Sequence, residues 1–126
     1  MSKKTDFWEQ IIHFKKSEFD CKCGCGFNNI DEDLVLDLDL LRSSLERPLF
    51  ITSASRCNKH NKDIRGSPTS SHLLGLAIDI RVFSSSDRFS LLSKLLDFQF
   101  KRIGIYKNFI HVDIDFSKFQ NLIWYK

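Results

Sequence analysis

Two short stretches of the chain, Leu76-Ala77-Ile78-Asp79-Ile80-Arg81-Val82 and Phe109-Ile110-His111-Val112-Asp113-Ile114-Asp115, alternate in the same way. An aliphatic residue stands at every even position, and Asp or His recurs between. Period-two alternation rich in β-branched residues is strand patterning. Such strands turn Ile78, Ile80, Ile110, Val112 and Ile114 toward a core, while Ala77 and Asp79 share the opposite face, as do His111 and Asp113. Just ahead of the first strand lies Ser70-Ser71-His72-Leu73-Leu74-Gly75. His72, Asp79 and His111 together offer two imidazoles and a carboxylate, the ligand set of a catalytic zinc with one position left open. Ligands on two strands and one preceding loop can converge on a single metal, which implies hydrolytic chemistry.

The rest of the chain limits what can surround such a site. At 126 residues, with 42% hydrophobic and 28% charged residues, it has room for one domain over residues 1–126 with one core. Twelve phenylalanines suggest a core filled by rings. The net charge of +3, to which Lys3, Lys4, Lys15, Lys16, Lys59, Lys62 and Arg65 contribute, reads as solvated surface or as help in dwelling on an anionic polymer such as a bacterial cell wall. No basic stripe interleaved with aromatics appears, so no nucleic-acid partner is expected. No apolar run approaches the roughly 20 residues needed to span a bilayer. The N-terminus lacks an apolar signal-peptide core, so synthesis in the cytoplasm is expected, with any target outside it reached by another route. A monomer is expected.

Along the chain, residues 6–15 read as a short amphipathic helix with Phe7, Trp8, Ile11, Ile12 and Phe14 inward, followed by a turn-rich stretch over 17–29. Asn29 or Asp31 can cap a helix over 31–46, where Leu34, Leu38, Leu41 and Leu45 form one face and Pro48 marks the end. A strand over 49–52, a short polar helix over 57–63 and a strand over 76–83 come next. Ser86 or Asp87 can cap a helix over 87–99 that buries Phe89, Leu92, Leu95 and Leu96. Strands over 102–106, 109–115 and 122–125 finish the chain. Helices first and a small antiparallel sheet last is the order of an α+β domain.

Four cysteines stand apart from this pattern, three of them in Cys21-Lys22-Cys23-Gly24-Cys25-Gly26 and the fourth at Cys57. A structural metal site using all four thiolates, disulfides formed after export, and reduced thiols all fit. The Cys-x-Cys-x-Cys spacing is not the usual zinc spacing, and the sequence does not decide among the three.

The run Ser71-His72-Leu73-Leu74-Gly75-Leu76-Ala77-Ile78-Asp79-Ile80, with Ile51-Thr52-Ser53-Ala54-Ser55-Arg56-Cys57, Asn61, Ile103-Gly104-Ile105-Tyr106 and Ile110-His111-Val112-Asp113, resembles the peptidase M15 family. The resemblance is to its D-alanyl-D-alanine carboxypeptidase-like subfamily of bacteria and phages. Glu18-Phe19-Asp20-Cys21-Lys22-Cys23-Gly24-Cys25-Gly26 also looks like the opening segment of phage-type members, so the likeness covers about residues 17–125. It implies an α+β, Hedgehog-like fold with helices on one side of a small sheet and a zinc cleft on the other. His72, Asp79 and His111 would hold Zn²⁺, and Arg56 would bind a substrate carboxylate or steady an oxyanion. A surface ion pair is the alternative for Arg56. Ser71 would hydrogen-bond the peptide or cap its loop.

The chain departs from the family where related enzymes carry an acid or histidine two or three residues before the last zinc-binding histidine. Here Asn108 and Phe109 stand, and neither takes a proton from water. Asp113 is then the first candidate for the base, ahead of Asp115 and Tyr106, or else the residue that orients His111 or Arg56. The implied activity is hydrolysis in the peptidoglycan stem peptide, as a D-Ala-D-Ala carboxypeptidase or an L-Ala-D-Glu endopeptidase delivered by phage or lysis machinery. The rivals are a catalytically silent zinc-binding module and a virion structural protein.

Overall fold

The computed structural model describes residues 6–126, so Lys3 and Lys4 lie outside the described residues. Helix α1 (Glu32–Ser44) leads to strand β1 (Ile51–Ser53), helix α2 (Asn58–Asp63), strand β2 (Ala77–Arg81), helix α3 (Ser85–Asp97) and strands β3 (Arg102–Ile105), β4 (Phe109–Asp113) and β5 (Leu122–Tyr125). Single turns of 3₁₀ helix at Phe7–Gln10, Lys16–Phe19 and Ser71–Leu74 complete the elements. The strands form one sheet in the order β1-β2-β4-β3-β5, and the fold is α+β as expected.

The face of α1 read from its leucines is the buried face. Leu34, Leu38 and Leu41 are fully enclosed, and the Asp31 carboxylate caps the helix by accepting from the Leu34 amide at 3.1 Å. They pack with Ile78, Ile80, Ile103, Ile110 and Val112 from one side of the sheet. Burying this many aliphatic side chains, at about 1.5–3 kcal/mol each, is the main force holding helices and sheet together.

Three expectations are corrected. The sheet is mixed rather than wholly antiparallel, because β5 runs parallel to β3, pairing Arg102 with Leu122 through Ile105 with Tyr125. The loop after β4 brings the chain back beside Arg102, whose guanidinium donates to the Phe119 carbonyl, so β5 starts where β3 starts.

The helix expected over 6–15 stops after one 3₁₀ turn. The backbone amides of Ile12 and His13 donate to the Asp39 carboxylate at 3.0 and 2.8 Å instead of continuing a helical ladder. Asp39 is itself buried on α1, and Ile12 is left 78% exposed.

Helix α3 begins earlier than expected, capped by Ser84 Oγ, which accepts from the Asp87 amide. Its core contacts are Leu91 and Leu95, while Phe89 stands 72% exposed and Leu96 is also in solvent. The stripe of apolar residues on this helix is wider than the face the sheet can cover, so register within it is a tertiary choice.

Candidate metal centre

The pleat of the sheet lays one row of residues across the side away from α1 and α3. Ser53 of β1 pairs with Asp79 of β2, Asp79 with His111 of β4, His111 with Gly104 of β3, and Gly104 with Trp124 of β5. Residues facing each other across strands share a face, so this row is dictated by register and alternation alone. Trp124 lies over the backbone of Gly104, where a Cβ would meet the indole at 2.6 Å, and its ring reaches the His111 imidazole at a centroid distance of 5.5 Å. Only glycine lets the indole come so close.

His72 reaches this row from the 3₁₀ turn before β2. Ser70 Oγ accepts from the His72 amide at 3.2 Å, and the His72 carbonyl accepts from the Arg56 amide at the same distance. The two imidazoles meet edge to face, 5.2 Å between centroids.

Each imidazole has its outer nitrogen tied. His72 Nδ1 lies 2.8 Å from the Ala54 carbonyl oxygen, and His111 Nε2 lies 2.7 Å from Asp113 Oδ2. A carbonyl and a carboxylate only accept, so both outer nitrogens carry the proton and donate. In the neutral imidazoles that a metal ion would require, the inner nitrogens are then the lone pairs. Both face the same atom: His72 Nε2 is 3.2 Å and His111 Nδ1 is 2.9 Å from Asp79 Oδ1. Ligand atoms of the three residues all lie within 4.8 Å of one another.

Three electron-rich atoms at this spacing repel unless a cation sits among them, either a proton or a metal ion. The donor set of two nitrogens and one oxygen, with both imidazoles backed by a fixed second partner, fits zinc. Burial pushes the Asp79 carboxyl up, but hydrogen bonds and charge from His111 and His72 outweigh it and hold the group at about 2. Burial likewise lowers His111, and the carboxylates of Asp113 and Asp79 more than reverse it, leaving His111 raised.

Asp113 stands on the far side of His111 from the three-atom cluster. Its Oδ2 accepts from His111 Nε2, and its Oδ1 accepts from Arg102 Nε at 2.7 Å and from the Asp115 amide at 3.1 Å. Arg102 in turn lies against the Trp124 ring, 5.1 Å from its centroid.

Arg56, on the bend after β1, is 8% exposed. Its Nη1 donates to Asn61 Oδ1 and Nη2 to Ser53 Oγ, both at 3.1 Å, and its Nε has no partner. No carboxylate among the described residues pairs with it, which removes the surface ion pair as its role. Burial disfavours its charge, and the nearby Asp79 and Cys21 restore part of the loss.

Ser71 is buried beside His72 but turned away. Its hydroxyl donates to Asp115 Oδ2 at 2.7 Å and accepts from Lys118 Nζ at 2.8 Å, so it is engaged inside the protein rather than presented to the cleft.

Ser53, Arg102 and Trp124 belong to this neighbourhood, and the strand patterns did not single them out. Arg102 enters because β3 pairs antiparallel with β4, and Trp124 only because β5 adds to β3 in parallel. The one trace of it in the sequence is a glycine in the middle of an otherwise bulky strand.

A family model described as Peptidase M15 matches residues 12–113, the greater part of the chain. No curated protein matches it.

Proposed function

The chain belongs to the peptidase M15 family, and from that premise we propose that it hydrolyses a peptide bond of peptidoglycan stem peptides with a Zn²⁺ ion held by His72, Asp79 and His111. The observation that carries this reading is the convergence of two imidazole nitrogens on Asp79 Oδ1, with both outer nitrogens already tied. Bound zinc supplies Lewis acidity, polarising the scissile carbonyl and acidifying water.

The protein's own groups prepare the site for that chemistry. Ala54 and Asp113 fix the two imidazoles in the tautomers that leave the inner nitrogens free to bind metal. Arg102 holds Asp113, and Trp124 walls the row beside His111. Arg56 keeps a buried guanidinium on neutral acceptors, with an Nε donor unused. A planar fork of this kind suits a carboxylate in two-point contact, which fits the terminal carboxylate of a D-Ala-D-Ala carboxypeptidase substrate and also the free carboxylate of D-Glu beside the bond of an L-Ala-D-Glu endopeptidase.

Asp113 serves as the residue that orients His111, since its oxygens are engaged by His111, Arg102 and the Asp115 amide. Ser71 serves the loop that carries His72. No helix among the described residues is long and apolar enough to cross a membrane, and action on a cell wall would follow delivery by phage or lysis machinery.

Asn108 and Phe109, in place of an acid, favour a second reading: a zinc-binding module of this fold that does not hydrolyse. Zymography on purified peptidoglycan separates the two. The peptidase reading expects clearing by the wild type that disappears with a chelator and in His72→Ala. Absence of chelator-sensitive clearing by zinc-loaded wild type overturns it in favour of the silent module. Masses of the released muropeptides identify the bond.

A further inference from the structure

The four cysteines, about which the sequence left three options, meet at one point. Cys21 Sγ lies 3.5 Å from Cys23 Sγ and 3.7 Å from Cys57 Sγ, and Cys23 Sγ lies 3.7 Å from Cys57 Sγ. With Cys25, all four sulfurs fall within 4.8 Å of one another. Four thiolates around one zinc, each about 2.3 Å from it, stand at tetrahedral edges of about 3.8 Å. A disulfide instead needs its two sulfurs at about 2.05 Å. The spacing is that of a single four-coordinate ion.

The backbone around the sulfurs is arranged for the same purpose. Three amides point at three of them: Cys57 N–H to Cys21 Sγ at 3.4 Å, Phe27 N–H to Cys25 Sγ at 3.4 Å, and His60 N–H to Cys57 Sγ at 3.3 Å. Donors aimed at sulfur favour the thiolate over the thiol. Gly24 and Gly26 adopt left-handed φ values of 86° and 84°, with open space where a side chain would stand. They are there for conformation and not for room, curling the segment so that Cys21, Cys23 and Cys25 face one centre.

We propose that Cys21, Cys23, Cys25 and Cys57 bind a second Zn²⁺ ion in a closed structural site that pins residues 19–27 to the bend carrying Arg56. Binding takes the protons from the four thiols and fills all four positions of a tetrahedral ion, which leaves none for water or substrate. The site clamps two segments that touch through few other bonds, chiefly Ser55 N–H to the Phe19 carbonyl at 3.1 Å and Asn29 N–H to Ser55 Oγ at 3.1 Å. Cys57 follows Arg56 directly, so the ion holds the bend on which that guanidinium is carried. This inference does not depend on which peptide bond, if any, the His72–Asp79–His111 site cuts.

Metal content of the full chain, purified under reducing conditions with zinc present, tests it. Two zinc ions per chain are expected in the wild type and one in Cys25→Ser. His72→Ala is expected to keep the cysteine-bound ion. Replacing zinc with Co²⁺ gives intense thiolate-to-cobalt charge-transfer absorption in wild type and in His72→Ala, and none in Cys25→Ser. Should Cys25→Ser fail to fold, a thiol-blocking mercurial added to folded wild type is expected to release one zinc of the two. The proposal is overturned by any one of four results: cobalt-loaded His72→Ala without the charge-transfer band, four freely reactive thiols in the folded zinc-loaded protein, disulfides among these cysteines in the isolated chain, or iron in place of zinc. Failure of the peptidase reading shows instead in the zymogram, with the cysteine-bound metal intact.

Discussion

The two candidate metal sites differ in what holds their ligands before any ion arrives. Asp79 and His111 are fixed by the pairing of β2 with β4, and each imidazole is locked by a second partner, Ala54 or Asp113. The cysteines sit on an irregular loop and at the start of a six-residue helix, joined mainly by the sulfurs themselves. A site built on strands keeps its geometry without metal, whereas a site built on loops takes its geometry from the metal. One is suited to chemistry at an open position, the other to holding chain segments together.

Stripping the metal breaks the comparison most directly and has the largest expected effect. A chelator should take peptide hydrolysis to background while amide hydrogen exchange stays slow in β2 and β4. Exchange in residues 19–27 and 55–58 should accelerate together. Uniform loosening of the sheet would show that the strands do not hold the first site by themselves.

Asp113→Asn comes next. It weakens the acceptor for His111 Nε2 and is expected to lower zinc affinity or activity by about 10- to 100-fold. Titration with a competing chromophoric chelator reads the loss, which should leave cobalt–thiolate absorption at the cysteines unchanged.

Arg56→Lys removes the planar fork while keeping the charge. The loss of one charge-assisted hydrogen bond, about 1.5–3 kcal/mol, should raise KM at least roughly tenfold for substrates ending in a carboxylate, with a smaller change in kcat. An equal fall for amidated substrates would remove the carboxylate contact as the cause.

The smallest effect concerns the loop behind His72. Burial pushes Asp115 up, but hydrogen bonds from Ser117 and Ser71 and the charge of Lys118 outweigh it, holding the carboxyl at about 2 against an ordinary 3.8. A group depressed in the folded state stabilises the fold above its unfolded pKa and loses that contribution as pH falls through the folded value. Urea midpoints of wild type and Asp115→Asn should therefore differ most above pH 3.8 and converge as pH falls to about 2. A constant gap would mean that the carboxylate charge contributes nothing.

Much of this arrangement was legible because strands and helices have short periods. Alternation in residues 76–82 and 109–115 separated core from cleft, and the leucines of α1 marked its buried face. Where an apolar stripe was broad, as in α3, periodicity allowed two faces and only packing chose between them. Asp39 was illegible for another reason. A carboxylate on a helix reads as solvated, and nothing local says that two amides some 26 residues earlier will claim it.

By itself the sequence singled out His72, Asp79 and His111 as candidate ligands, because strand alternation is written in one dimension, and the resemblance of its motifs to a family added Arg56. Tertiary structure alone decided what surrounds them: the parallel addition of β5 that brings Trp124 over Gly104, the Arg102–Asp113 pair behind His111, and the meeting of Cys57 with Cys21, Cys23 and Cys25. These are contacts between segments distant along the chain, and their partners are chosen by register and packing, which no local pattern encodes.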